Sequence, residues 1–239
     1  MTKTASSQAV QKSRSDAFKA GMSASIPIML GYIPIAIAYA GSAAATGMNF
    51  WQIVALSFFV YTGAGQMSTV SLLAQNAAML SIVIFVFVLN LRHIIMSTVV
   101  MEDLKQTPLW KRCVLSFGVT DEVFAVFTTT KSERSSASFF GGLVLGSWLS
   151  WWLGSALGAV LAGIFPPVLI ASFSIAMPAM FLALLTPSVH AHVRLLIPVL
   201  STALLSWMLS YCMESCWAMV IAALAGALIG LPFVKEEDV

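Results

Sequence analysis

Charge is what this sequence has least of. Only 22 of its 239 residues are Asp, Glu, Lys or Arg, whereas about a quarter of a soluble domain is charged. None occurs from Ala20 to Leu91, nor from Ser135 to Val193. A soluble fold could not cover its surface with so few, and about 20 apolar residues already span a bilayer. The scarcity excludes a soluble enzyme, a nucleic-acid binder and a disordered chain. Cysteine is scarce too. Cys113, Cys212 and Cys216 are odd in number and contain no CxxC pair, which argues against a disulfide scaffold and against zinc or redox motifs. His190 and His192 stand without the further ligands a metal needs, so neither a metal nor a cofactor is expected. No GxSxG, HExxH or Walker pattern is present, and no enzymatic activity is expected.

What the sequence has is apolar length. With 59% hydrophobic residues, it reads as an all-α, polytopic transmembrane bundle of seven to eight spans with discontinuous helices. A basic cytoplasmic tail covers 1–19, the membrane domain 20–234 and a polar tail 235–239. The spans are expected near 20–45, 50–73, 77–101, 113–130, 138–164 and 168–186, with two more helices in 195–234 joined by a turn near Glu214. Proline and glycine disfavour helix interiors, and they place breaks at Gly31 and Pro34, at Gly63 and Gly65 beside Gln66, and at Pro178. The basic tail argues for a cytoplasmic N-terminus. Eight strict crossings then put the 102–112 loop outside, whereas a re-entrant second segment brings it inside. Phe18-x-x-Gly21 recurs as Phe139-x-x-Gly142, and Gly41-Ser42-Ala43 as Gly154-Ser155-Ala156. These matches suggest repeat halves at 18–130 and 139–232, an organisation many secondary transporters share.

Three ionisable residues fall well inside spans: Arg92, Asp121 and Glu122. Each costs about 2.5–3.5 kcal/mol to insert, and such residues persist where they pair or line a polar path. Pairing of Arg92 with one carboxylate would offset part of this. A second carboxylate, with His93 adjacent, points to a substrate or proton site, because a carboxyl in a dry site near other carboxyls becomes protonatable. The Arg92 guanidinium matches a carboxylate, and Asp121 or Glu122 suits an ammonium. Tyr32, Tyr61 and Gln66 complete a lining for a small zwitterion with an apolar side chain. An organic acid or an amine satisfies part of the same set. Proton coupling falls to His93, Asp121 and Glu122.

Gly142, Gly146, Ser150, Gly154 and Gly158 recur every four residues. Such small-residue stripes let helix backbones approach closely, either within this chain or against a separate membrane subunit.

Five stretches carry a resemblance: Gly31-Tyr32-Ile33-Pro34, Tyr61 to Gln66, Asn90-Leu91-Arg92-His93, Phe117 to Phe124 and Ser147 to Gly154. In this order the chain resembles the AzlC family, the large subunits of two-component branched-chain amino acid exporters. The resemblance implies a multi-pass protein of the bacterial inner membrane. It would export L-valine, leucine, isoleucine and also methionine, driven by protons, with a small AzlD-type partner subunit. Two other readings of the residues remain: a channel or facilitator for a small solute, and an intramembrane enzyme acting on lipid.

Overall fold

The computed structural model describes residues 14–130, 136–164, 192–213 and 215–232, with scattered positions between 166 and 190. All regular structure among the described residues is helical. Two compact units divide the chain: Met1–Ala77 with Asn90–Pro178, and Ala78–Leu89 with Ala179–Val239.

The first unit opens with α1, residues 14–24, which a turn at Ser25 joins to α2, Ile26–Ala45; the helix thus begins inside the stretch expected as a tail over 1–19, because Phe18 packs against Gly142. Pro27 sits in the first turn of α2, where its missing N–H costs nothing. The break expected at Gly31 and Pro34 is absent, for α2 runs through both without interruption. A proline inside a helix forfeits one backbone bond, but in a membrane protein the neighbours of a helix can hold it continuous. Ile35, Ala36, Ala38, Tyr39 and Ala40 are fully buried here.

The neighbour is α9, Ala137–Leu161. Its small-residue stripe is the surface that meets α1 and α2. A Cβ added to Gly142 would overlap the Phe18 carbonyl oxygen, and one on Gly21 would overlap that of Phe139. Further along, a Cβ on Gly146 would strike Ser25, one on Gly154 would lie 2.9 Å from Ala36 Cβ, and one on Gly158 would lie 2.7 Å from Ile37 Cα. Ser150, in the same stripe, is buried. The partners rise together along both helices, so α1–α2 and α9 run parallel. The stripe is therefore consumed by packing within the chain and is not open to a separate subunit.

The other helices of this unit are shorter. Helix α3, Phe50–Phe59, starts at a capping box in which the Asn49 and Gln52 side chains each accept the other's backbone N–H at 2.9 Å. It stops before residues 60–62, where Tyr61 takes φ +40°, and α4, Gly63–Ala74, follows. The interruption expected near Gly63 and Gly65 thus falls just before them: Gly63 opens α4 and Gly65 lies in its first turn. Helix α6, Arg92–Asp103, also belongs to this unit, whereas α5, Met79–Asn90, lies up to Leu89 in the second; in sequence the two form an apolar run of 25 residues with Leu91 between them. The span expected as one helix over 113–130 is two: α7, Leu109–Ser116, and α8, Asp121–Thr129, separated by residues 117–120. Gly118 has no room for a side chain, since its Cβ would collide with Val144 of α9.

In the second unit α10, Leu196–Leu209, packs antiparallel to α11, Ser215–Gly230. Gly226 faces Thr202 and Gly230 faces Pro198. These are the two helices expected in 195–234. The span expected over 168–186 falls largely outside the described residues, as do its break at Pro178 and the turn residue Glu214. Ile26–Ala45, Met79–Asp103 and Ala137–Leu161 are each long and apolar enough to cross a membrane.

Candidate functional site

The interruption at 117–120 has a chemical cause. Thr120 turns its hydroxyl to accept the Val123 N–H at 3.3 Å, capping α8. Asp121 and Glu122 then occupy the first turn, where the positive end of the helix dipole favours acidic side chains. Adjacent on a helix, they point in different directions. Asp121 Oδ2 pairs with Arg92 Nη2 at 3.0 Å, and both side chains keep partial exposure, 24% and 37%. Glu122 is only 6% exposed and turns toward α2.

There Tyr32 donates its hydroxyl proton to Glu122 Oε2 at 2.5 Å. The Tyr32 oxygen also lies 2.8 Å from Thr120 Oγ1. A tyrosine has one proton to give, so with Glu122 ionised Thr120 must be the donor in that second contact. Three residues from two helices thus form one directed chain. Tyr32 is fixed by its ring as well, edge-on to Trp151 at 5.3 Å and to Tyr61 at 6.4 Å between centroids. Tyr61, from the interruption before α4, packs its ring near Phe117, from the interruption before α8, at 6.0 Å. The two breaks therefore meet. The Tyr61 hydroxyl is buried in the same cluster, close to the Tyr32 hydroxyl and the Glu122 carboxyl.

Of the residues singled out from sequence, Tyr32, Tyr61 and Glu122 come together in this buried cluster, and Arg92 and Asp121 lie at its edge. His93 is beside Arg92, its Nδ1 3.3 Å from the Asn90 carbonyl oxygen. Gln66 is placed differently. It is fully buried; its Nε2 donates to the Leu56 carbonyl at 2.8 Å and its Oε1 accepts from Trp151 Nε1 at 2.9 Å. Both ends of the amide are committed, so Gln66 ties the end of α3 to α9 across the break and is not free to hold a solute. Gly31 and Pro34 lie in the unbroken part of α2.

Sequence reading missed three participants. Thr120 was legible, because a threonine followed by two acidic residues is a helix-start signal. Asn90, which accepts the Thr62 hydroxyl at 2.8 Å, and Trp151 owe their roles to partners 28 and 85 residues away, and no local pattern marks them. Because the Thr62 side chain is turned to Asn90, it does not cap α4. Among the described residues no three of His, Cys, Asp and Glu gather as a metal site would require.

The family model described as AzlC protein matches residues 27–165, which include every member of the cluster. An uncharacterized membrane protein of Archaeoglobus fulgidus is 35% identical over 222 residues, covering 91% of this chain and 95% of the relative. The inner membrane protein YgaZ of Escherichia coli is 30% identical over 185 residues, 72% of this chain and 73% of the relative. An uncharacterized membrane protein of Helicobacter pylori is 26% identical over 151 residues, 62% of this chain and 66% of that protein. No solved structure matches. A family match across more than half of the chain, joined by a near full-length relative, identifies this membrane protein as a member of the AzlC family.

Proposed function

We propose that the chain is the large subunit of a proton-coupled exporter of branched-chain amino acids, L-valine, leucine and isoleucine, together with methionine, in the bacterial inner membrane. A small AzlD-type subunit is its partner. Family membership supports membrane transport as the class of function. The observation that carries the finer reading is Glu122, a buried carboxyl held by Tyr32 where two interrupted helices meet. A carboxyl inside a membrane domain costs about 2.5–3.5 kcal/mol to insert and is kept where it does something.

In this reading the two carboxyls divide the work. Glu122 takes up a proton or the substrate ammonium, exchanging one for the other. Arg92 receives the substrate carboxylate when its pair with Asp121 opens, because the guanidinium fork fits a carboxylate bidentately. The first N–H groups of α4, which no side chain caps, favour the same negative end. His93, Asp121 and Glu122 remain the proton-carrying groups.

The test uses proteoliposomes containing both subunits and an imposed pH gradient. Wild-type protein is expected to drive valine uphill. Glu122→Gln is expected to lose that accumulation while still exchanging labelled for unlabelled valine across the membrane. If valine moves only downhill in wild type and Glu122→Gln matches it, the protein is a facilitator and the coupling assignment fails.

A further inference from the structure

Beyond the buried cluster, a groove of about 550 Å³ runs between α6 and α7. Its α6 wall is one helical face, with His93, Ser97 and Met101 spaced by four residues and Thr98 beside them; Arg112 and Ser116 of α7, also four apart, form the facing wall. It starts at the turn that follows Asp103 and ends at His93, next to the Arg92–Asp121 pair. The eleven-residue separation of Arg92 and Asp103 along α6 corresponds to about 16 Å of helix, half of a hydrocarbon core about 30 Å thick. With Asp103 at one membrane face, the groove would reach the depth of the ion pair.

The charged side chains become less exposed along this line: Glu102 is 70% exposed, Arg92 and Asp121 are 37% and 24%, and Glu122 beyond them is 6% exposed. Ile94, at the inner end, is exposed, so the groove is open along its side. Thr98 and Ser116 donate their hydroxyl protons to the Ile94 and Cys113 carbonyls of their own helices at 2.8 Å, which leaves their oxygens as acceptors beside Ser97 in a lining that also holds His93, Glu102 and Arg112. Glu102 is engaged by Lys105 at 2.9 Å. Arg112 shares the groove with Glu102 and feels its charge, but its Nε is buried and has no hydrogen-bond partner among the described residues. A guanidinium N–H is a donor and never an acceptor, so what belongs there is an anion or another acceptor. Ile94 and Met101 offer apolar surface beside it.

We propose that this groove is a half-channel to the Arg92–Asp121 pair, and that Arg112 is a docking point in it for the carboxylate of the transported amino acid. The groove supplies a cation for the carboxylate, hydroxyl oxygens for the ammonium and aliphatic side chains for a branched side chain. The amino-acid part rests on the function proposed above, whereas the half-channel does not.

The experiment places single cysteines at Ser97, at Thr98 and at the outward-facing control Ile95, in full-length protein whose Cys113, Cys212 and Cys216 are replaced by serine. A membrane-impermeant cationic thiol reagent is applied from each side of membrane vesicles. Ser97→Cys and Thr98→Cys are expected to react from one side only, at least tenfold faster than Ile95→Cys, and valine is expected to slow them about fivefold. Arg112→Gln is expected to remove that protection and to raise the half-saturating valine concentration about tenfold, with Arg112→Lys restoring most of it. If Ser97→Cys and Thr98→Cys react no faster than Ile95→Cys, the half-channel is refuted. Labelling without valine protection, in protein that still transports valine, refutes the docking point alone. Labelling in protein that transports no valine leaves the half-channel standing, and it is then the amino-acid reading that fails.

Discussion

The parallel pair of α1–α2 with α9 and the interrupted helices α3–α4 and α7–α8 solve opposite problems with adjacent residues. Along the first, glycine and alanine bring backbones into contact, and even Pro34 does not break the helix. Along the second, the backbone leaves the helix twice, and hydroxyls, an amide and charged groups gather where it does. A membrane gives helices no hydrophobic reason to associate, so close packing must supply the cohesion. Freed backbone groups are tolerated only where protein or a polar path covers them. The comparison teaches that the rigid pair is a wall, with Tyr32 and Trp151 projecting from it to define one side of a polar site whose other side is built from broken helices.

The largest expected effect lies in the wall. Gly142→Leu would drive a side chain into the Phe18 carbonyl and to within 3.0 Å of the Met22 nitrogen, and backbone cannot step aside. Its cost should exceed the about 1–3 kcal/mol usual for overpacking and abolish the monodisperse peak in detergent gel filtration. The neighbouring Gly141, whose nearest outside atom is Leu115 Cδ2 at 3.7 Å, should tolerate leucine. Equal behaviour of the two would mean that the parallel contact does not hold the fold.

An intermediate effect separates two buried tyrosines of the same helix. Tyr32→Phe deprives Glu122 of its donor, a loss of about 1–3 kcal/mol for a buried acceptor, and should lower proton-driven valine transport at least tenfold. Tyr39→Phe removes a longer bond to the Ile53 carbonyl, 3.3 Å, and should cost about 1 kcal/mol of stability without touching transport. Thermal midpoints and flux, measured side by side, would show whether site and wall are distinct in this way.

The smallest effect compares two helix caps. Asn49→Ala and Thr120→Ala each remove one capping side chain, and each should cost about 1 kcal/mol. Only Thr120→Ala should alter transport, because Thr120 also contacts Tyr32. A flux change in Asn49→Ala equal to that in Thr120→Ala would assign both to general destabilisation.

Much of this was legible in the sequence, unevenly. The charge-free stretches announced a helical membrane protein, and Arg92, Asp121 and Glu122 stood out because ions are costly there. The location of the breaks was read less well. Local propensity makes Gly31 and Pro34 breakers, and close packing against α9 overrides it. The break at 117–120 lies inside a stretch apolar enough to read as one helix, and only Gly118 and the Thr120 cap signal it. Gln66 looked like a site residue because it is polar in an apolar span. Only its distant partner Trp151 reveals that it braces the fold, and a single sequence does not encode that pairing locally.

The parallel course of α2 and α9 also fixes a parity. Two membrane helices that run the same way are entered from the same face, so the chain must return to the face of its N-terminal tail before α9 begins. The crossings made by α2, α3–α4, α5–α6 and α7–α8 must therefore be even in number. A lone re-entrant segment among them is inconsistent with this, and when all four cross, the turn between α6 and α7 lies on the face opposite Arg14 and Lys19. A cytoplasmic N-terminus would make the groove open outward, the side on which the proposed exporter would release what it carries.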